Sequence, residues 1–500
     1  MQIIIPMSGI GKRFVEAGYT EPKPIIAVDG KPMIEHVIGL FPGETNIIAI
    51  CNKDHHNVPN VIRNICPTAR IFQVEYTGKG PVETVLRIED EIDDSQEVII
   101  SYCDYGTQWD YKKFLELVRN KKADGAIACY KGFHPHNLGP DMYAFVKENN
   151  GSAVAIQEKR CFTDNKLDEY ASNGTYYFRN GYIMKKYFKS LEEKVNGELY
   201  VSLTYSKMIS DGLNVVVFEI NKMLQWGTPY DLAVYNMWSN YFHEPPRRRI
   251  KCRGITLLPM AGHGSRFQMQ GYRIPKPLLP IGKDIMAVAA LNDLPETERT
   301  TIISLKEHDI SKHFPGKYIV ELDETTNGQA TTCMYALKDV CDDTPLTITA
   351  CDNGAMYNPD ILEQMIEDDS IDIIVWCFTN NPTGKLYPNM YAWLDVDSNN
   401  NICDVSIKKP FINKANTHAI IGTMFFRKTK FFKDGYKTIV ENNIRTNGEF
   451  YVDNIIKPLI DQGLKVKAFE VDYYLCWGTP NDYKTYNYWA DYHKASHKHT

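Results

Sequence analysis

The segment PMSGIGKRF at residues 6–14 returns as PMAGHGSRF at 259–267, and this repetition limits the possible folds more than any other feature of the chain. GYTEPKPIIAVDGK (18–31) returns as GYRIPKPLLPIGK (271–283), and YCDYG (102–106) as ACDNG (350–354). NGELYV (196–201) returns as NGEFYV (447–452), QWGTPYDL (225–232) as CWGTPNDY (476–483), and YNMWSNYF (235–242) as YNYWADYH (486–493). The order is kept and the spacing stays near half the chain, so the repeating unit is a whole domain rather than a solenoid module. Two tandem copies are expected, at 1–244 and 255–500. They are separated by a basic, proline-containing linker at 245–254 whose arginines read as a solvated hinge.

Within each copy, short apolar runs alternate with helical patterns. Ile3–Ile5, Asn46–Cys51 and Glu97–Cys103 read as strands, with a helix beginning near Met33. Thr256–Leu258, Thr301–Ser304 and Leu346–Cys351 are their counterparts. Apolar strands bounded by turns and alternating with helices predict an α/β fold, with a mostly parallel sheet covered by helices on both faces. In such sheets a ligand lies beyond the carboxyl ends of the strands. The glycine turn after the first strand and the aspartates after EVIISYC and TITAC should therefore share one crevice.

Composition removes several classes. The chain is 43% hydrophobic and 24% charged, with 56 basic against 62 acidic residues, which suits a globular protein and gives no basic excess for general nucleic-acid binding. No run approaches the ~18 apolar residues of a membrane helix, and the N-terminus reads as a strand rather than a signal peptide. The 12 cysteines show no CxxC or zinc spacing, so reduced thiols in a cytoplasm are expected.

The opening loop is the first candidate for chemistry. Gly9 and Gly11 let the backbone approach a ligand, Arg13 follows at once, and Lys23 is held between Pro22 and Pro24. Gly262, Gly264, Arg266 and Lys276 repeat the arrangement. An arginine and a lysine set over backbone amides suit a polyphosphate. A lone GxG is a weak signal. GxGxRF followed by PKP, twice in one chain, is a strong one.

On these motifs, and on the closing WGTPxD element, both halves resemble the nucleotidyltransferases that make nucleotide sugars and related activated phospho-alcohols. The match is nearest to the sugar-1-phosphate and phosphocholine branch of surface-polysaccharide pathways. The resemblance implies two tandem Rossmann-like, GT-A-like nucleotide-diphospho-sugar transferase domains. It also implies a reaction in which a phosphate oxygen of an acceptor attacks the α-phosphorus of an NTP and pyrophosphate leaves. NTP and a small phosphorylated acceptor would be the partners, Mg²⁺ the cofactor, and Arg13, Lys23, Arg266 and Lys276 the catalytic cations.

The same resemblance assigns nucleotide binding to Ser8, Gly9 and Gly11 and to Ala261, Gly262 and Gly264. Gly80, Glu83, Gly328 and Gln329 fall where the family reads the base. Asp104 ends a buried strand and Asp231 lies in WGTPYD, with Asp352 and Asp482 in the second copy. Two carboxylates plus substrate phosphates are how Mg²⁺ is usually held, although a strand-end aspartate can also simply cap a helix. Glu158-Lys159 matches the family's acceptor pair. The second copy reads Lys408-Lys409-Pro410, which keeps a lysine, Lys409, but replaces the glutamate with Lys408. Lysine accepts no hydrogen bond, so different acceptors are expected for the two copies. Glu198 and Glu449 are a third repeated acid, near the acceptor or at a helix start.

Other features read as structural. Cys103 and Cys351 read as buried fillers, and Trp226 and Trp477 as core. His55, His56, His134 and His136 have no counterparts in the second copy, and the C-terminal HKASHKHT reads as a frayed basic tail. An alternative reading leaves one half catalytic and the other regulatory. An A-type glycosyltransferase is disfavoured, because Asp104-Tyr105-Gly106 and Asp352-Asn353-Gly354 each offer one carboxylate rather than Asp-x-Asp. The halves could also pack against each other.

Overall fold

A computed structural model describes residues 1–192 and 194–496. The last four residues of the C-terminal tail lie outside the described residues. The chain divides into two compact units, Met1–Ser239 and Asn240–Thr500.

The first unit is built on nine strands: β1 Gln2–Met7, β2 Ile47–Asn52, β3 Arg70–Val74, β4 Val98–Ser101, β5 Gly125–Tyr130, β6 Ala144–Asn149, β7 Ser152–Glu158, β8 Tyr170–Phe178 and β9 Val215–Glu219. They form one sheet in the order β3-β2-β1-β4-β8-β5-β9-β7-β6. Every residue of β1 is buried, and its alternate side chains enter different cores. Ile4 packs with Ile48, Ile50 and Ile100, whereas Ile3 and Ile5 pack with Ile47 and Ile99. A strand with two cores must be apolar on both faces, which is why QIIIPM shows no alternation.

The sheet is mixed. β1, β2, β3 and β4 pair in parallel, as do β5 and β9, but β8 runs antiparallel between β4 and β5. Eight of its nine residues are buried, so its sequence carries no sign of direction.

The second unit contains β10 Lys251–Met260, β11 Glu296–Leu305, β12 Tyr318–Leu322, β13 Leu346–Ile348, β14 Ile373–Phe378, β15 Ala392–Val396, β16 Ile402–Ile407, β17 Thr417–Phe426 and β18 Val466–Glu470. Their order is β12-β11-β10-β13-β17-β14-β18, with β15 pairing both β16 and β17. This repeats the strand order of the first unit from β3 through β9, including the one reversed strand. Ile255 and Leu257 face one core while Leu258 and Met260 face another.

No helix among the described residues is long and apolar enough to cross a membrane. The twelve cysteines are free. The part of the tail within the described residues is helical. The helix Pro480–Ser496 takes in its first four residues, and His493 is buried.

Candidate functional site

The second glycine of each GxG motif is demanded by the protein itself. Gly11 caps the helix Lys12–Glu16 with φ 67°, and a Cβ there would stand 3.3 Å from Cβ of Lys23. Gly264 does the same with φ 63°, and a Cβ would meet that of Lys276 at 3.0 Å. Positive φ and close approach both exclude larger residues. Gly9 and Gly262 differ, because a Cβ at either would meet nothing of the protein within 4 Å. Packing does not require glycine there.

The loop opens on a cavity of about 530 Å³ in the first unit. Ser8, Gly9, Gly11, Arg13, Lys23, Gly80, Asp104, Glu158, Lys159 and Glu198 all line it. Residues from the first strand end, the proline frame, the β4 end, the β7 end and the NGELYV segment thus converge at one mouth. Ser8 is held by its neighbours: its Oγ is 2.7 Å from Oγ1 of Thr84, and its carbonyl accepts from Asn52. Ala261, its counterpart, has no hydroxyl to contribute.

Lys23 Nζ donates to Oδ2 of Asp104 and, at 3.2 Å, to the carbonyl of Gly227. Lys276 pairs with Asp352 in the same way. Burial works against the Asp352 carboxylate, but the Lys276 ammonium outweighs it and holds the carboxyl below its ordinary range. Lys276 is raised in turn: burial disfavours its charge and Asp352 more than compensates.

The Trp-Gly-Thr-Pro segment packs behind these aspartates. The amide of Trp226 donates to the carbonyl of Asp104 at 3.1 Å, and that of Trp477 to Asp352 at 2.8 Å. Each indole is buried over the glycine two residues beyond the aspartate. A Cβ at Gly106 would meet Trp226 Cη2 at 2.8 Å, and one at Gly354 would meet Trp477 Cη2 at 2.9 Å. Both tryptophans are core, and burial pushes the thiols of Cys103 and Cys351 up to about 12, far from thiolate chemistry.

Asp231 and Asp482 are placed by helix capping. Oδ2 of Asp231 accepts from Thr228 Oγ1 at 2.5 Å and from Gln225 Nε2 at 2.8 Å, while the Asp231 amide donates back to Thr228 Oγ1. Asp482 makes the reciprocal pair with Thr479, whose amide and hydroxyl both donate to its Oδ2. This is a capping box opening the last helix of the first unit and of the chain. Asp231 itself does not line the cavity, although Gln225 and Thr228 do. Burial raises its pKa, and the charge of Asp104 adds to that, against Thr228 and Arg13.

At the other end of the cavity, Ser202 gives its hydroxyl to Glu158 Oε2, and burial raises the Glu158 carboxyl. Lys159 Nζ donates to the Tyr200 hydroxyl at 2.6 Å and lies 4.2 Å from its ring centroid. Glu198 follows an Asn-Gly pair with φ 52° and 84°, closed by hydrogen bonds between Val195 and Glu198. Asn447 and Gly448 repeat these angles before Glu449. Two consecutive positive φ values mark a type I′ turn, which is why NG recurs.

The structure corrects one equivalence. Lys159 adopts φ 53° and donates its amide to Tyr143 at 3.0 Å; Lys408 adopts φ 59° and donates to Tyr391 at 3.0 Å. The counterpart of Lys159 is therefore Lys408, not Lys409, which is exposed. Ile407 stands where Glu158 does.

The segments around Gly80 and Gly328 are pinned rather than free. A Cβ on Gly80 would stand 2.7 Å from the amide nitrogen of Leu199, and one on Gly328 2.6 Å from that of Phe450. Glu83 does not line the cavity. Its carboxylate accepts from Thr77 and Arg87. Gln329 opens the helix Gln329–Tyr335. Tyr200, Tyr102 and Ser202 were not legible as site residues, since nothing in their spacing announces a ligand.

His134 and His136 cluster on Tyr130 at centroid distances of 4.5 and 5.1 Å, and burial pushes His134 down to about 4. Among the described residues no group of three or more His, Cys, Asp or Glu side chains converges on one point.

Residues 2–239 match the family model described as nucleotidyl transferase. The chain is 27% identical over 248 residues to the bifunctional protein GlmU of Bartonella quintana, covering 47% of this chain and 51% of that protein. It is 26% identical over 194 residues to the bifunctional protein GlmU of Methanocaldococcus jannaschii, covering 39% and 42%. The chain thus spans about half the length, or less, of these curated relatives. Among solved structures, a nucleoside-diphosphate-sugar pyrophosphorylase from Vibrio cholerae RC9 aligns at 21% identity with a TM-score of 0.39, covering 47% of this chain and 99% of that one.

Proposed function

From the match of residues 2–239 to the nucleotidyl transferase family model, we propose that the first unit transfers a nucleotidyl group from an NTP to a small phosphorylated acceptor. The second unit carries out the same class of reaction on a different acceptor. A sugar 1-phosphate or phospho-alcohol is the acceptor class, cytoplasmic supply of activated units for a surface glycan is the role, and the two units arose by tandem duplication. The observation that carries this reading is the single cavity lined by the glycine loop, Arg13, Lys23, Asp104, Glu158 and Lys159.

In this reading the loop amides and Arg13 hold the β- and γ-phosphates, and Lys23 faces the α-phosphate. Lys159 orients the acceptor phosphate, and Glu158 accepts from an acceptor hydroxyl. An acceptor phosphate oxygen forms the new bond to the α-phosphorus as the bond to the bridging oxygen of pyrophosphate breaks. No proton needs to move, because attacking and departing groups are both phosphate oxygens. The donor chemistry suits Mg²⁺: Asp104 and Asp231 offer hard oxygen ligands, and the charge of Asp104 reaches Asp231. Asp104 and Asp231, and Asp352 and Asp482 in the second unit, would hold the ion. When bound it offsets charge on the phosphates.

The test is pyrophosphate release from the common NTPs and dTTP with sugar 1-phosphates, phosphocholine and related phospho-alcohols, with Mg²⁺ and with EDTA. Asp104→Asn and Asp352→Asn should each abolish a different metal-dependent activity. Loss of all turnover in Asp104→Asn alone would favour the second reading, a catalytic first unit with a regulatory second one. That reading draws on Ile407 standing in the place of Glu158.

A further inference from the structure

Glu158 ends β7 opposite Ala144 of β6, and Ile407 ends β16 opposite Ala392 of β15. With the matching φ and amide bonds of Lys159 and Lys408, this register fixes position 407 as the counterpart of 158. An apolar side chain therefore occupies the place of the first unit's acceptor carboxylate.

The facing wall has changed as well. NGELYV is followed by Ser202 and NGEFYV by Asp453, and each segment passes from an Asn-Gly turn into a helical turn at its valine. In the first unit position 202 faces position 158, since the Ser202 hydroxyl is bonded to Glu158. A carboxylate has thus been lost from one side of the pocket and gained on the other. The charged group that acts on Asp453 is Lys408, and Asp453 is the first of the charges that act on Lys408.

We infer that Asp453 is the acceptor-holding carboxylate of the second unit, presented from the opposite wall to Glu158, while the Lys408 ammonium, whose charge reaches it, donates to the carbonyl of Met390. The inference rests on the reading of the second unit as a nucleotidyl-transfer site and names its specificity residue. Ile407 offers only apolar surface. Ala350 stands where Tyr102 stands in the first unit; a Cβ on Gly174 would meet Tyr102 Cδ2 at 3.0 Å, whereas one on Gly422 would meet only Ala350 Cβ at 3.4 Å and Asn353 at 3.8 Å. The acceptor that fits is a phosphorylated compound with a hydroxyl or ammonium toward Asp453 and an apolar face toward Ile407 and Ala350.

The full chain carrying Asp104→Asn isolates the second unit, and glucose 1-phosphate, glycerol 3-phosphate and phosphocholine are the probes. Asp453→Ser should raise the acceptor KM at least ~10-fold with kcat within about twofold, the pattern of a lost binding contact. Ile407→Glu with Asp453→Ser restores the first unit's arrangement and should shift the acceptor preference toward that of Asp352→Asn protein. Should Asp453→Ser not fold, judged by its melting transition, Asp453→Asn carries the same KM test. Unchanged KM with persistent second-unit turnover would overturn the assignment alone. Turnover in Asp352→Asn but none in Asp104→Asn with any probe would remove the second-unit reading and this assignment with it.

Discussion

The ammonium of Lys23 donates both to the carboxylate of Asp104 and to the carbonyl of Gly227, so one side chain joins the proline frame, the β4 end and the Trp-Gly-Thr-Pro segment. Lys276 and Asp352 form the equivalent pair, with side chains 14% and 25% exposed.

Removing one partner should therefore cost more than removing both. Lys276→Met leaves Asp352 without its ammonium and should lower stability by about 2 kcal/mol near neutral pH. The raised Lys276 pKa gives stability that is present below its unfolded value and lost as pH rises through the folded one. The lowered Asp352 pKa gives stability present above its unfolded value and lost as pH falls through the folded one. The deficit of Lys276→Met should thus shrink in acid, and adding Asp352→Asn should recover part of it. Urea unfolding across pH measures both.

The two glycines of the first loop should behave oppositely. Gly9→Ala meets open space, so its melting temperature should stay within about 1 °C of the parent while NTP binding weakens by about tenfold or more. Gly11→Ala has a positive φ to satisfy and should lose about 1 kcal/mol of stability. Thermal melts paired with calorimetric NTP titration separate the two effects.

Acid should weaken acceptor binding in the first unit before it weakens folding. Burial raises Glu158 above an ordinary carboxyl, so it takes up its proton earlier as pH falls. Acceptor KM should climb in that range. Glu158→Gln should start about tenfold higher in KM and show a flatter pH profile.

Asp453 gives a different signature. Burial, opposed by Lys408, pushes its carboxyl up to about 6 from 3.8. The folded state then holds the proton more tightly than the unfolded one, so stability falls as pH rises from about 3.8 to 6 and the penalty is complete above 6. Asp453→Asn should accordingly stabilise the protein by about 3 kcal/mol at neutral pH and by almost nothing near the ordinary carboxyl range. Gain of stability with loss of acceptor affinity would mark a residue kept for binding.

Much of this was legible in the sequence because the signals are local. Ile3–Ile5 and EVIIS are apolar runs next to turns, and GxGxRF with PKP states its backbone and charge requirements directly. The direction of β8 was not legible, since a strand buried on both faces reads alike either way. The sequence alone points to Lys409 rather than Lys408, because the loops between the matched motifs differ in length, and only the β15–β16 register fixes the frame. Asp453 appeared in the sequence as a single mismatch after NGEFYV. Its meaning depends on Ile407, which folding brings opposite it from a distant segment. The capping role of Asp231 was visible as Thr-x-x-Asp, but a metal ligand at the same position carries the same letters.

Gly80 rests on the backbone of Leu199, whose amide donates to the carbonyl of Lys79 and whose carbonyl accepts from Val82. The segment around Gly80 and the turn that carries Glu198 are therefore one mechanical part. A substrate that shifts either end displaces the other by the same backbone contact. Linkage then requires symmetry: whatever factor the nucleotide imposes on acceptor affinity, the acceptor must return on the nucleotide. Gly328 and Phe450 repeat the joint, so in either unit a displacement of one of these two segments is carried to the other.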